Sequence, residues 1–381
     1  MTLRRLWLRD FRSYVEAEVV FGPGLTVVVG PNGTGKTNLL EAAGYLSILS
    51  SFRGVPNDGL VRLGAQRCVI RGEVNADGRE VLIESEVVPA GRSRVLVNKQ
   101  PLKRNRELRD VLRITVFSPE DLILVKGGPS ERRSYLDEVL ITLHPRNDAM
   151  LTELERVLRQ RNALLKQVGG RLNPEAGFTL DVWDDKLAKV GTHVARSRVA
   201  LLDDLRPFVE AAYSDVADRP APVGLTYQSS WLDRPDGLTG ALEQGRVDDV
   251  RRGLSLVGPH RDDIELLIEG RPSRTHASQG EQRTLAVALR LAAHRLVTDR
   301  LGSAPLLLLD DVFSELDPAR SDALVRHLPP GQALLATAGF VPPAAEVESI
   351  LHVSRPDGPT ELRSGDKPGD SVDETAWDRV K

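Results

Sequence analysis

Gly30-Pro31-Asn32-Gly33-Thr34-Gly35-Lys36-Thr37 gathers three glycines, a lysine and a threonine into eight residues. The run fits G-x-x-x-x-G-K-[ST], in which a glycine-rich turn lets successive backbone N–H groups point at one anion. Leu25 to Val29 before it reads as a short buried strand, and Thr37 to Ile48 after it as a helix. A helix N-terminus adds partial positive charge at the same place. Lys36 then supplies a point charge between two phosphates and the Thr37 hydroxyl a ligand for Mg²⁺. The expected ligand is Mg-ATP, held by Gly30, Pro31, Asn32, Gly33, Thr34, Gly35, Lys36 and Thr37. A glycine-rich strand-to-helix turn without a ligand is the plain alternative, and the complete match in that context leaves it little weight.

A second cluster lies far down the chain. Leu306 to Leu309 is an apolar strand ending in Asp310 and Asp311. Asp310 at the strand end suits Mg²⁺, and Asp311 suits the polarisation of an attacking water. Alone this is a core strand with a solvated end; beside a phosphate loop it reads as the other half of the site. Upstream, Ser278-Gln279-Gly280-Glu281-Gln282-Arg283 opens a helix expected over Glu281 to Arg300. It resembles the signature motif of ABC-type ATPases, usually Leu-Ser-Gly-Gly-Gln. The Ser278 hydroxyl, the Gly280 N–H and the helix dipole would make a second phosphate cradle. A capping box between Ser278 and Glu281 is the plain reading, and both hold together.

In that family one subunit's cradle closes on the γ-phosphate held by the other, so the resemblance implies an ATP-dependent homodimer. Ser314-Glu315-Leu316-Asp317 resembles the D-loop at such an interface. Two positions depart from the pattern. Thr337 stands where a histidine is usual, and Asp311 where a glutamate is usual. The shorter Asp311 side chain implies slow hydrolysis, suited to a timer.

Strands are expected over Leu3 to Leu8 and Glu18 to Phe21. A meander of Cys68 to Val74, Glu80 to Val88 and Arg94 to Val97 follows, turned at Asp77-Gly78. From Pro129 to about Ala211 the pattern is helical: Leu151, Leu154, Leu158 and Leu165, a break near Gly169 to Pro174, then Leu187, Val190, Val194 and Leu201. Strand character returns at Val223 to Tyr227, Ile264 to Ile268 and Ala333 to Ala336. The expected fold is therefore α/β: an ABC-type ATPase head, with a mixed sheet carrying the phosphate loop, an antiparallel meander and a helical lobe II insertion. Residues 1–117 and 256–365 form the expected ATPase lobe I, 118–255 the helical lobe II, and 366–381 a loosely ordered tail.

The 381 residues contain no apolar run near the roughly 18 needed to cross a bilayer, and Met1 to Phe21 lacks the apolar core and cleavage site of a signal peptide. Cys68, the only cysteine, excludes an intramolecular disulfide and reads as a core residue. A cytoplasmic protein with no membrane partner is expected. The net charge of −3 gives no bulk argument for nucleic acid. Its distribution does more, because the stretch from Lys99 to Lys166 is rich in Arg and Lys. A solvated helical face is the plain reading of such a stretch.

The run from Pro119 to Asp137 (PEDLILVKGGPSERRSYLD) narrows the resemblance. With Asp10-Phe11-Arg12-Ser13-Tyr14, Gly258-Pro259-His260-Arg261-Asp262-Asp263 and the Asp310 to Asp317 stretch, it is similar to the bacterial RecF family, from Leu3 to about Arg363. RecF resembles the heads of SMC proteins without their long coiled coil. The resemblance implies a DNA repair and replication protein that binds ATP and double-stranded or gapped DNA. It implies RecR and RecO as partners, RecA loading at single-strand gaps, and a place in the SOS response. Glu120 is placed at the Q-loop position, near Mg²⁺. Arg12 reaches phosphates or is an exposed strand-end arginine. Arg132 and Arg133 cap a helix, pair with Asp137 or face DNA. His260 has no metal or nucleophile partner in sight and reads as a turn residue. Two other classes stand beside this one: the ATPase subunit of a membrane transporter, where the Pro119 run has no place, and an SMC-type structural head, which would need coils from a partner.

Overall fold

The computed structural model describes residues 1–76, 78–91, 93–355 and 358–365. The expected tail, 366–381, and Asp77 of the expected turn lie outside the described residues. The chain divides into two compact units. The first comprises Met1–Asp121, Ser214–Pro220 and the chain from Val287 on; the second comprises Leu122–Tyr213 and Ala221–Ala286. Residues 256–286, expected with the ATPase lobe, thus pack with the helical material. The reason is a small sheet with one strand on each side of the expected boundary.

The first unit holds two six-stranded sheets. One is an antiparallel meander of β1 (Thr2–Phe11), β2 (Tyr14–Val20), β4 (Cys68–Ala76), β5 (Arg79–Val87), β6 (Arg94–Val97) and β7 (Gln100–Pro101), in the order β2-β1-β4-β5-β6-β7. The other comprises β3 (Leu25–Val29), β8 (Ile114–Phe117), β12 (Leu306–Asp310), β13 (Ala333–Thr337), β14 (Val347–Ser354) and β15 (Glu361–Gly365), in the order β15-β14-β3-β13-β12-β8. All of its pairings are parallel except β14 with β15. β3, β12 and β13 are apolar almost throughout, as strands covered on both faces must be. Helix α1 (Lys36–Ile48) is buried on nearly every side and shares one core with both sheets, where Leu39, Leu40 and Leu46 meet Leu6, Ile70, Leu308 and Leu334. Gln332, 2% exposed, stitches the sheets together: its amide accepts from Leu3 N and donates to the Leu3 and Gly22 carbonyls, all at 2.7 Å. Cys68 is a core residue, its thiol pushed up to about 12 by burial.

The second unit holds α2 (Pro129–Leu143), α3 (Asn147–Gln167), most of α4 (Pro174–Val216), α5 (Gly237–Arg252) and the start of α6 (Gln279–Leu301). The sheet β9 (Val223–Gln228), β10 (Asp263–Ile268) and β11 (Arg271–Pro272) completes it. Its core sets Leu154 and Val157 of α3 and Leu187 and Val194 of α4 against Trp231, Leu238 and Leu242. The expected break between α3 and α4 is present, but α4 runs for 43 residues, far beyond its apolar signal.

Candidate nucleotide-binding site

Parallel strands β3 and β12 flank β13, so the turn after β3 and the acidic end of β12 open at the same edge of the sheet. The loop between β3 and α1 needs its glycines. A Cβ at Gly30 would lie 2.1 Å from the Val353 carbonyl oxygen, and Gly33 and Gly35 take φ of 80° and 114°. Thr34 Oγ1 donates to the Pro31 carbonyl at 2.8 Å. Lys36 Nζ turns back over the loop, donating to the Gly30 carbonyl at 2.7 Å and to that of Pro31 at 2.9 Å, with Asn32 Oδ1 at 3.5 Å. Burial holds the Lys36 ammonium below its usual range, partly offset by Asp311 and Asp310. An incoming polyphosphate therefore meets a poorly solvated cation whose present partners are weak acceptors.

The two sequence clusters join at one hydrogen bond: Thr37 Oγ1 donates to Asp310 Oδ1 at 2.7 Å, across 273 residues. Asp310 is 6% exposed, and burial raises its pKa. The Thr37 hydroxyl and Arg53 act the other way, while Glu120 and Asp311 add to the rise. A hydroxyl and a desolvated carboxylate, with Glu120 and Asp311 in the same field, form a place that a divalent cation would stabilise. Among the described residues no cluster of three His, Cys, Asp or Glu could hold a metal alone. One carboxylate and one hydroxyl, completed by phosphate oxygens and water, is the pattern of nucleotide-bound Mg²⁺. Asp310→Asn is expected to raise the melting temperature of the nucleotide-free chain, by removing a buried charge, and to abolish any Mg²⁺-dependent gain in ATP affinity. Thermal melts and nucleotide titrations with and without Mg²⁺ measure both.

Glu120 sits in the Pro119–Leu122 turn that follows β8. Its neighbour Asp121 anchors that turn, accepting from Ser118 N and from Arg290 Nε, both at 2.8 Å. Asp311 adopts φ 49° and donates its N–H to the Ala336 carbonyl at 3.0 Å. Thr337, at the switch position, is 4% exposed; its hydroxyl donates to the Phe340 carbonyl at 2.8 Å and so closes its own turn.

Arg12 is neither free to reach phosphates nor an exposed strand-end arginine. Its guanidinium forms a two-pronged pair with Glu41 of α1, both contacts 2.7 Å, and donates to the Gly59 carbonyl at 2.9 Å. Glu41 is fully buried, and Ser51 Oγ donates to it as well. Arg12→Ala would strand that carboxylate and is expected to cost about 3 kcal/mol of stability in urea titrations. Arg12→Ala/Glu41→Ala should recover part of the loss. A single variant of unchanged stability but lost nucleotide affinity would restore the phosphate role.

Residues beside Arg12 brace the loop; Ser13 and Tyr14 lie in a run that carries the resemblance, but nothing in the sequence assigned them this role, and Thr360 lies in no motif. Tyr14 Oη donates to the Gly35 carbonyl at 2.9 Å. Thr360 Oγ1 donates to the Thr34 carbonyl at 2.7 Å and lies 2.8 Å from Ser13 Oγ, which accepts from Asn38 Nδ2 at 3.0 Å. Arg53, which acts on Asp310, was also missed. It carries no spacing signal, because a loop brings it there.

In the second unit Ser278 and Glu281 form both bonds of a capping box: Ser278 N donates to Glu281 Oε2 at 2.7 Å, and Glu281 N to Ser278 Oγ at 3.3 Å. Ser278 is exposed, and Gln282 Nε2 fixes the turn before it by donating to the Ser273 and Arg274 carbonyls. Arg132, 6% exposed, pairs with Asp263 rather than Asp137, at 2.8 and 2.9 Å, and caps the preceding turn at the Gly127 carbonyl, 3.0 Å away. Arg133 donates to the Asp262 carbonyl at 2.7 Å, and Asp137 belongs to Arg198. His260 is a turn residue: its Nε2 lies 3.0 Å from the Ser255 carbonyl, and burial pushes its pKa down to about 4.

The family model described as "RecF/RecN/SMC N terminal domain" matches residues 2–333. Among curated relatives, the DNA replication and repair protein RecF of Beutenbergia cavernae is 41% identical over 390 residues, covering 94% of this chain and 98% of that protein. The RecF of Acidothermus cellulolyticus is 41% identical over 371 residues, covering 93% and 100%. Among solved structures, one described as the recombination mediator protein RecF-ATPrS in the RecFOR pathway superposes with a TM-score of 0.84 at 29% identity, covering 93% of this chain and 96% of that one. An Smc head bound to the C-winged helix domain of ScpA, 19% identical with a TM-score of 0.60, shares the fold, covering 99% of this chain and 100% of that one. The fold is thus shared with a RecF structure over nearly its whole length, the curated relatives align over nearly all of theirs, and the chain belongs to the RecF family.

Proposed function

We propose that this chain is an ATP-switched DNA-binding protein of replication and recombinational repair. ATP and Mg²⁺ bind at Gly30 to Thr37 with Asp310. Two copies close on the nucleotide through Ser278 and Gly280, and the joined heads grip double-stranded or gapped DNA. Hydrolysis, with Asp311 polarising water, is slow and resets the dimer. RecR and RecO are the partners this reading assigns, and RecA loading at single-strand gaps is its outcome. The observation that carries it is the Thr37–Asp310 hydrogen bond, which brings two distant motifs together as an Mg-nucleotide site would require, in a chain whose relatives are RecF proteins. Lys36 and Thr37 bind and orient the phosphates, and Mg²⁺ when bound neutralises charge on them.

The test is sedimentation and DNA titration on the same samples, with and without ATP. Dimers and tighter DNA binding are expected only with ATP, and DNA affinity should fall steeply with salt and depend little on base sequence. Equal DNA affinity with and without ATP would refute the switch.

A further inference from the structure

We infer that the β6–β7 edge of the meander sheet, with the segment that follows it, is a contact surface for the phosphate backbone of duplex DNA, carried by Lys99, Lys103, Arg104 and Arg94. This rests on the proposed function and names where the DNA lies on that sheet.

The first observation is the absence of counter-charges. In the same sheet and its loops Arg4 pairs with Glu80, Arg5 with Glu18, Arg62 with Asp10, Arg67 with Glu86 and Arg71 with Glu84. Arg94, Lys99, Lys103 and Arg104 are all exposed and form no ion pair among the described residues; Glu86, across from Arg94, is taken by Arg67, and Arg9 and Arg79 elsewhere in the sheet are likewise unpaired. Four unpaired cations on one edge are available to an outside anion.

The second observation is backbone strain at the tip. Asn98 and Lys99 form the two-residue turn between β6 and β7, with φ of 49° and 65°. Such a turn needs positive φ at both positions, and glycine at the second is the unstrained choice. Asn98 is pinned to β5: its N–H donates to the Leu82 carbonyl at 2.8 Å, and its Oδ1 accepts from Leu82 N at 2.9 Å. A long cationic side chain therefore occupies the strained position on an anchored support. Strain of this kind concentrates where a side chain is used.

The spacing fits a duplex. Val97 pairs with Gln100 and Leu96 with Pro101, and Leu102 N donates to the Val95 carbonyl at 3.0 Å, which brings Lys103 level with Arg94. From Lys99 to Lys103 the chain reaches at most about 13 Å at an extended ~3.3 Å per residue. Duplex DNA carries one charge per ~1.7 Å of axis, so the edge spans at most roughly eight phosphate charges. Pro101 and a single lysine would already discourage strand addition at this edge, so blocking aggregation does not account for four cations.

The full chain carrying Lys99→Gln, Lys103→Gln and Arg104→Gln is compared with wild type on a duplex of random sequence, with ATP present, across a salt series. The log–log salt slope is expected to become shallower by about three, with at least a tenfold loss of affinity near 0.1 M salt. ATP affinity should be unchanged, and charge-conserving Lys99→Arg, Lys103→Arg and Arg104→Lys should restore binding. Lys99→Gly separates the roles further: relief of strain should raise the melting temperature while DNA affinity falls. Wild-type slope and affinity in the triple glutamine variant would overturn this surface and leave the proposed function standing; so would self-association of that variant with DNA binding intact. Failure of wild type to bind duplex with ATP would overturn both.

Discussion

Lys36→Ala lowers ATP affinity about 100-fold, the equivalent of losing ~3 kcal/mol of charge-assisted bonding to phosphate, and with it ATP-dependent dimers and DNA binding. The fold should stand, because Nζ bonds acceptors of its own loop, the Gly30 and Pro31 carbonyls and more distantly Asn32 Oδ1, and water can take them over. The larger effect is on assembly. If each phosphate loop works with the Ser278 cradle of a second copy, neither Lys36→Ala nor Ser278→Arg alone forms a working site. A mixed dimer of the two has one doubly damaged site and one intact site, so mixing should restore part of the ATPase and DNA binding. No recovery on mixing, although mixed dimers form by cross-linking, would mean that loop and cradle do not meet across copies.

Arg161→Met destabilises the helical unit by about 4 kcal/mol. Arg161 is fully buried, and its guanidinium donates to Asp184 at 2.6 Å, Asp249 at 2.7 Å and Ser255 Oγ at 2.8 Å. It thereby ties α3 to α4, to α5 and to the turn after α5, where Asn162 also accepts from Ser255. Asp184 keeps Arg246 at 2.7 Å when Arg161 is gone. Asp249, 1% exposed, keeps only the Leu256 N–H. Burial already raises the Asp249 pKa, with Arg161 opposing, and removing Arg161 raises it further. A carboxyl whose folded pKa lies above its unfolded value stabilises the fold at low pH and loses that contribution as pH rises through the folded value. The defect should therefore be largest at neutral pH and shrink on acidification. Arg161→Met/Asp249→Leu should recover most of the loss, since an apolar pair can replace a buried ionic one. Chemical denaturation of the three variants across pH decides this; a loss independent of pH would mean that packing, not the stranded carboxylate, is the cause.

The two units rest on different chemistry. Around the phosphate loop, buried polar groups face a place where a ligand's charge is expected, and Asp310 and Lys36 are held away from their ordinary pKa values. In the helical unit the buried charges satisfy each other, as in Arg161 with Asp184 and Asp249, Arg198 with Asp137, and Arg132 with Asp263. Only the first arrangement leaves charge for a ligand to answer.

By itself the sequence determined what depends on neighbours within a few positions. The glycine loop, the apolar strands Leu25–Val29 and Leu306–Asp310, the Ser278–Glu281 capping box and the break before Pro174 are local patterns, set by backbone geometry, strand burial and capping. The order of phosphate loop, helical insert, signature helix and acidic strand pointed to the ABC-type α/β head, and the run from Pro119 to Asp137 carried the resemblance to its family. Partner choice over long separations was decided only by the tertiary structure. Arg12 goes to Glu41, Arg132 to Asp263 and Thr337 to its own turn; β8, β14, β15 and α5 were not anticipated, and the boundary of the helical unit moved to Ala286. An arginine reads the same in sequence whether it meets a carboxylate, a carbonyl or a phosphate. Folding brings one of them within 3 Å, and desolvation then makes that choice expensive to reverse.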